Sequence, residues 1–443
     1  MRIVVLHAGG LGDLVLVESL FAALRERHAG ARLELVCRAD VAPVAGLYAR
    51  PPDAVLAFGF NPYRWALPDD EAALQARTLL RKLPPEPVDL FVSAELRATW
   101  LSEILAAALA PEEALIADDR KPRPSDLLIL LGKLRLERNR AVSRLPAVAG
   151  EHELDRYARL AGAPARRKPA LRPPAGAPSG ELVVFPLASS PINHWPLSAM
   201  GAAALRAAAP RQSTIVLVGG ENNRAELEAA IAAGTFGPGA QLVTGAPADL
   251  PAVAARIAAA AGYLGIETGL VHLAAAYGVP GATVYGGGYW PVYGPWAARS
   301  VGVVAPIPCF GCEWDCAFDR AFCLEGVDVD SVVAAFEDAL RDDSGEPLVR
   351  TLDPYGAREH TIFATAAAVH HAAQADRGAR LTAITRLRDL LARYARRTRS
   401  RSRQTNAALA RLADSTARAA RRLEQARAGD GHVRAAGHLS DEQ

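Results

Sequence analysis

Cysteine, methionine and aromatic residues are all scarce in this chain, with 5 Cys, 2 Met and 6% Phe, Trp and Tyr among 443 residues. A disulfide scaffold is therefore excluded, and a chain of this length buries enough apolar surface to fold without one. Long apolar runs are lacking as well. The opening run Met1–Leu6 stops at His7-Ala8-Gly9-Gly10, short of the ~7–15 residues of a signal-peptide core and the ~20 of a bilayer span. No small-residue cleavage site follows, so the expected location is the cytoplasm. Charge of one sign is also missing: the net charge is +2, which gives no whole-chain argument for nucleic acid.

What is present alternates. Short β-branched and aliphatic runs at residues 2–6, 32–36, 55–58 and 90–92 are separated by helical patterns such as Leu14–Leu24 and Glu71–Lys82. A linker rich in Pro, Ala and Arg spans Ala163–Gly180. Strand-like runs then resume at 182–185, 215–218, 241–243, 262–265 and 282–285, with a helix from Pro251 to Ala261 between two of them. The pattern closes on a helix from Asp328 to Arg341, with Asp330 as its expected cap. Strands alternating with helices predict α/β units with parallel sheets, two in tandem, whose ligands bind at the carboxyl ends of the strands.

Three turns have the composition for chemistry. Gly9-Gly10-Leu11-Gly12-Asp13 lets backbone approach a ligand closely. Its glycine spacing does not match the dinucleotide fingerprint, which disfavours hydride transfer. Asp13 reads either as a carboxylate capping its helix or as a general base facing a cleft. Ser189 and Ser190 stand in the loop after the first strand of the second unit, followed by Asn193-His194-Trp195-Pro196. Glu267-Thr268-Gly269-Leu270-Val271-His272 ends a strand and opens a helix, a second anion cradle in that unit.

In order and spacing these turns resemble glycosyltransferase family 9, which includes bacterial lipopolysaccharide heptosyltransferases. Family members carry a G-x-x-G-D turn, a loop ending K-x-W-P and a D-T-G-x-x-H motif on a GT-B fold. The resemblance covers roughly Met1–Leu340 and implies two Rossmann-like domains facing across a cleft. Residues 1–165 would form the acceptor side, with Gly9, Gly10 and Gly12 in its loop, and 178–345 would bind a nucleotide-sugar of the ADP-heptose kind. It further implies inverting transfer to a glycan or protein hydroxyl without a catalytic metal. Asp13 would be the base, and Ser189, Ser190, Asn193, Glu221, Glu267, Thr268, Gly269, Leu270 and His272 would hold the donor, Glu221 at its ribose. Asn193 stands where relatives often carry a lysine, a charge-assisted contact of about 1.5–3 kcal/mol. Glu267 replaces the usual aspartate. Both departures leave a catalytically impaired scaffold as an alternative, with a sugar-nucleotide epimerase as a second.

Four of the five cysteines crowd into Cys309, Cys312, Cys316 and Cys323. Thiolates at this spacing can close a tetrahedral structural metal site, with zinc or iron equally allowed by the chemistry. Together with Gly286-Gly287-Gly288-Tyr289-Trp290 they resemble the family branch of autotransporter heptosyltransferases, which implies structural iron. Residues 355–443 form a basic helical extension, Arg-rich over 375–428. Its leucine spacing suits oligomerisation or an anionic surface at the inner membrane, while the absence of a recognised module speaks against nucleic acid.

Overall fold

The computed structural model describes residues 1–63, 69–117, 142–173 and 177–368, apart from positions 147, 295, 315, 317, 319, 343 and 358. The helical stripe expected within 375–428 lies outside the described residues.

The first sheet is wholly parallel. Its strands are β1 (Arg2–His7), β2 (Arg32–Arg38), β3 (Ala54–Phe58), β4 (Leu90–Ser93), β5 (Glu113–Ala117) and β6 (Val142–Leu145). They lie in the order β3-β2-β1-β4-β5-β6, so the chain reverses direction across the sheet between β1 and β4. The second sheet holds β7 (Leu182–Phe185), β8 (Ile215–Gly220), β9 (Gln241–Gly245), β10 (Gly262–Ile266), β11 (Gly281–Tyr285), β12 (Ser300–Val304) and β13 (Leu348–Thr351). Their order is β13-β12-β11-β10-β7-β8-β9, with the reversal between β7 and β10. Doubly wound sheets bind ligands at such reversals, outside the carboxyl ends of the strands. The central strands of both sheets are fully buried, which is why they read as continuous aliphatic runs rather than alternating ones. This is the α/β, GT-B-like pair of Rossmann-like units expected from the sequence.

The helices in chain order are α1 (Leu11–Arg27), α2 (Asp69–Lys82), α3 (Trp100–Leu109), α4 (Glu153–Ala161), α5 (Leu197–Ala208), α6 (Arg224–Ala232), α7 (Leu250–Ala259), α8 (Gly269–Ala276), α9 (Phe322–Glu325) and α10 (Val329–Arg341). The long helix α1 buries Leu14, Val15, Leu16, Val17, Leu20 and Phe21 at 1% exposure or less. An apolar surface on nearly every side means a helix enclosed on every side, and α1 is packed against α4 and against α8 of the second domain. One apolar cluster consequently runs from the first sheet through α1 into Phe185, Tyr263 and Val271 of the second. Each such buried side chain contributes about 1.5–3 kcal/mol over an exposed one, so the two domains are held together by a shared core.

One expectation needs correction. Helix α10 is capped by Asp328, whose Oδ1 accepts from Ser331 N at 2.7 Å, and not by Asp330. Asp330 already lies inside the first turn, where its carboxyl ion-pairs with Arg206. The linker packs onto the first domain. Ala170 N donates to the buried Glu18 carboxyl at 2.7 Å, and Leu171 bridges Tyr48, which ties the chain to the first domain before it enters the second. No helix among the described residues is long and apolar enough to cross a membrane.

Candidate active site between the two sheets

The turn after β1 and the turn after β10 meet. A Cβ added to Gly12 would lie 2.7 Å from the His272 ring and 3.1 Å from the Gly269 backbone, and one added to Gly269 would lie 2.7 Å from Gly12 N. Only glycines let the start of α1 and the start of α8 approach this closely.

On the first-domain side, Gly10 is the extended N-cap of α1 and Asp13 sits at its third helical position. Gly10 N donates to Asp13 Oδ2 at 2.6 Å. The carboxylate therefore does cap its own helix, and it does so at the domain junction. The half-buried Asp13 has its pKa raised to about 6, chiefly by burial and then by Glu153, against the lowering pull of the Gly10 amide, Arg156 and Arg38. Glu153 and Arg156 form a fully enclosed ion pair on α4. Tyr293, from the second domain, donates to Glu153 Oε1 at 3.0 Å. Two more bonds cross the same seam: Glu153 N to Val292 O at 3.0 Å, and His152 Nε2 with Gly294 O at 2.8 Å.

On the second-domain side, β7 and β10 are register neighbours, Phe185 opposite Gly265. The Ser189–Asn193 loop and the Glu267–Leu270 turn thus leave the sheet side by side. His194 Nε2 bonds Ala188 O at 3.0 Å, and the buried Trp195 donates to Val327 O at 3.1 Å. Both anchor the loop and leave Ser189, Ser190 and Asn193 at its rim. Thr268 is the extended N-cap of α8, and its hydroxyl does not close over that helix end. Three side-chain atoms here are buried with no partner: Asn193 Oδ1, Glu267 Oε2 and His272 Nδ1. Buried polar groups are nearly always paired, so such a group points to a ligand or water. Burial raises the Glu267 pKa to about 8. It lowers that of His272 to about 3, with His152 adding to the effect.

Glu221 stands just after β8, the strand next to β7. It is exposed at the end of β8, bound by Arg224 at 2.6 and 2.8 Å and by the Thr244 hydroxyl at 3.0 Å. The cysteines are gathered but are not arranged as ligands. Burial, with neighbouring thiols adding to it, raises the pKa values of Cys309 and Cys323 to about 11 and about 12. Yet no group of three or more His, Cys, Asp or Glu among the described residues could hold a metal ion. Cys323 Sγ instead accepts from Gly287 N at 3.4 Å, and Cys316 Sγ reaches Arg320 O at 3.6 Å. The donor set expected at Cys309, Cys312, Cys316 and Cys323 is thus not formed as it stands. The knuckle has a visible packing role: Gly286 and Gly288 leave room for the Trp314 ring, and Glu313 accepts from Arg97 of the first domain at 2.7 Å.

His7, Glu153, Arg156, Tyr157 and Tyr293 surround Asp13 and were not legible as site residues. Glu153 and Arg156 stand at a spacing that reads as a solvated helical pair, and only the packing of α4 on α1 encloses them.

Residues 128–316 match glycosyltransferase family 9 (heptosyltransferase), a span that includes both second-domain turns and three of the clustered cysteines. No curated protein sequence matches. Among solved structures, the chain resembles ADP-heptose lps heptosyltransferase II of E. coli, with TM-score 0.58 and 15% identity over 77% of this chain and 99% of that one. The family 9 glycosyl transferase of Veillonella parvula DSM 2008 gives TM-score 0.58 at 16% identity, over 77% and 97%. E. coli heptosyltransferase WaaC with ADP gives 0.54 at 18%, over 76% and 100%. With its paired parallel sheets and a segment, residues 128–316, that matches glycosyltransferase family 9 (heptosyltransferase), the chain is similar in fold to the heptosyltransferases of that family.

Proposed function

We propose that this protein is an inverting glycosyltransferase that moves a heptose-like sugar from a nucleotide-diphosphate donor to a glycan or protein hydroxyl, without a catalytic metal. The observation that carries this reading is the contact of Gly12 with Gly269 and His272. It brings the start of α1, the helix that carries Asp13, against the open start of α8. An ADP-heptose kind of donor is supported by WaaC, solved with ADP and with ADP-2-deoxy-2-fluoro heptose.

In this reaction Asp13 takes the proton of the acceptor hydroxyl as that oxygen bonds to the anomeric carbon. The bond from that carbon to the diphosphate oxygen breaks on the opposite face, and its electron pair leaves with the nucleotide. A carboxyl of pKa about 6 is mostly ionised at neutral pH and still basic enough to share a proton in the transition state. Charge growing on the leaving diphosphate is met by the amides of Thr268, Gly269 and Leu270 at the start of α8 and by the Ser189 and Ser190 hydroxyls. Fixed dipoles at a helix start can stabilise such charge as a cation would. Asn193, Glu267 and His272 offer their unpaired atoms to the donor's remaining polar groups.

A thermal-shift panel of nucleotides and nucleotide-sugars tests the reading. ADP-heptose should raise the melting temperature most, since ligand at 100 times Kd adds about 2.7 kcal/mol. A panel in which no nucleotide-diphosphate sugar shifts the transition overturns it. We place the protein in the cytoplasm, with its basic extension directed to an anionic inner-membrane surface or a second copy.

A further inference from the structure

Two buried polar atoms beside Asp13 are left over by the reaction just described. His7, at the end of β1, and Tyr157, on α4, are each 1% exposed. His7 Nε2 and Tyr157 Oη have no partner. The rings meet edge to face at 6.5 Å between centroids. Gly9 lies between the imidazole and the carboxyl, and a Cβ there would collide with both the His7 ring and Asp13 Oδ2. The other ring nitrogen is engaged, because Gly9 N donates to His7 Nδ1 at 2.9 Å. The next amide in the chain, Gly10 N, donates to Asp13 Oδ2 at 2.6 Å.

These bonds form one chain of support. His7 Nδ1 holds Gly9, Gly9 fixes the peptide that follows, and that peptide grips the carboxylate. The arrangement needs Nδ1 as a bare acceptor, which puts the ring proton on Nε2. Burial, with Arg156 adding to it, keeps the imidazole neutral by lowering its pKa to about 3. The leftover Nε2–H and the Tyr157 hydroxyl then stand in the wall next to the carboxylate. Buried donors of this kind are satisfied by ordered water when protein supplies no partner.

We propose that His7 is a positioning residue for Asp13: one ring nitrogen sets the carboxylate through the Gly9–Gly10 turn, and the other, with Tyr157, holds a buried water beside it. The inference rests on the reading of Asp13 as the base. The other groups that face Asp13 are Glu153, Arg156 and Tyr157 on α4, Arg38 at the end of β2, and Tyr293 from the second domain. None of them bonds the Gly9–Gly10 turn.

Two variants separate position from packing. His7→Phe keeps a ring and removes both nitrogens. His7→Asn places an amide oxygen where Nδ1 stood. With His7→Phe, kcat should fall about 10–100-fold, as expected when a reacting group is slightly misplaced, with the donor KM unchanged. The acidic limb of the kcat profile should move above its wild-type position, because the Gly10 N–H that favours the ionised carboxylate is no longer held in line. His7→Asn should return the limb and most of kcat. If His7→Phe leaves the limb in place, or if both variants lose activity in step with their melting temperatures, the inference is overturned. Titration of 13C-labelled Asp13 in the full-length wild type and both variants needs no turnover. If no donor is transferred and the Asp13 titration still shifts with His7→Phe and recovers with His7→Asn, the base role falls while the positioning role stands. If the titration does not move, the positioning role falls.

Discussion

On the first-domain side of the junction Asp13 is bonded to Gly10 and His7 to Gly9, whereas on the second-domain side Asn193 Oδ1, Glu267 Oε2 and His272 Nδ1 are buried without partners. The same strand–turn–helix unit has been built twice, once with its acidic group held before any ligand arrives and once with its polar groups open. A base gains from being fixed in advance, since its work depends on geometry at the reacting atom. A leaving-group cradle gains from leaving its donors free, because they are needed only when the donor is bound. The two halves therefore should respond differently to substitution.

The largest expected effect is on the first half. Asp13→Asn removes the carboxylate proposed as proton acceptor and leaves the second-domain turns untouched. Turnover should fall about 10²–10⁴-fold, while donor Kd by calorimetry stays within a factor of about two. Equal losses in Kd and kcat would show that the two halves are not divided as described. Next in size is Gly269→Ala. Its Cβ would stand 2.7 Å from Gly12 N and 2.9 Å from the Leu11 side chain, and backbone cannot yield as a flexible side chain does. The two turns must separate, and a displacement near 1 Å can cost roughly 10²-fold in rate. Unlike Asp13→Asn, this variant should weaken donor binding too, because the amide at the start of α8 moves with it. The check is a paired measurement of kcat and donor Kd.

Much of this architecture was legible in the residues. The runs at β1, β4, β7 and β10 are aliphatic because those strands are covered on both faces, and the glycines of the two turns mark where backbones touch. What could not be read was which groups face each other across long sequence separations. Arg156 reaches Ala94 O and Tyr293 reaches Glu153, contacts set by how α4 lies against α1 and the second domain. His7 looked like the last residue of a strand, and its role depends on a turn conformation that spacing does not report. The partners of Glu221 were equally hidden, since spacing does not report that Arg224 and Thr244 bond its carboxyl. The cysteine spacing showed where the thiols gather but not how their sulfur atoms point.

The smallest expected effect distinguishes the open half by its charge state. Burial raises the Glu267 carboxyl from 4.5 to about 8, so at pH 7 it is mostly protonated and can donate to a phosphate oxygen, which an ionised carboxylate cannot. As pH rises through 8 the group ionises, loses that donation and repels the diphosphate. Donor affinity should then weaken by on the order of 1 kcal/mol, roughly fivefold in Kd, between pH 7 and 9. Stability follows the same sign. Between 4.5 and about 8 the folded state holds a proton at Glu267 that the unfolded chain has released, so this group's contribution to stability declines as pH rises across that window. Glu267→Gln fixes the neutral form. It should flatten the pH dependence of donor Kd from 7 to 9 and raise the melting temperature at pH 9 relative to wild type. Asp13, which is already ionised above its own pKa of about 6, should leave no mark in that range. A Glu267→Gln protein whose donor Kd keeps the wild-type slope would show that the second-domain side does not sense the donor through Glu267.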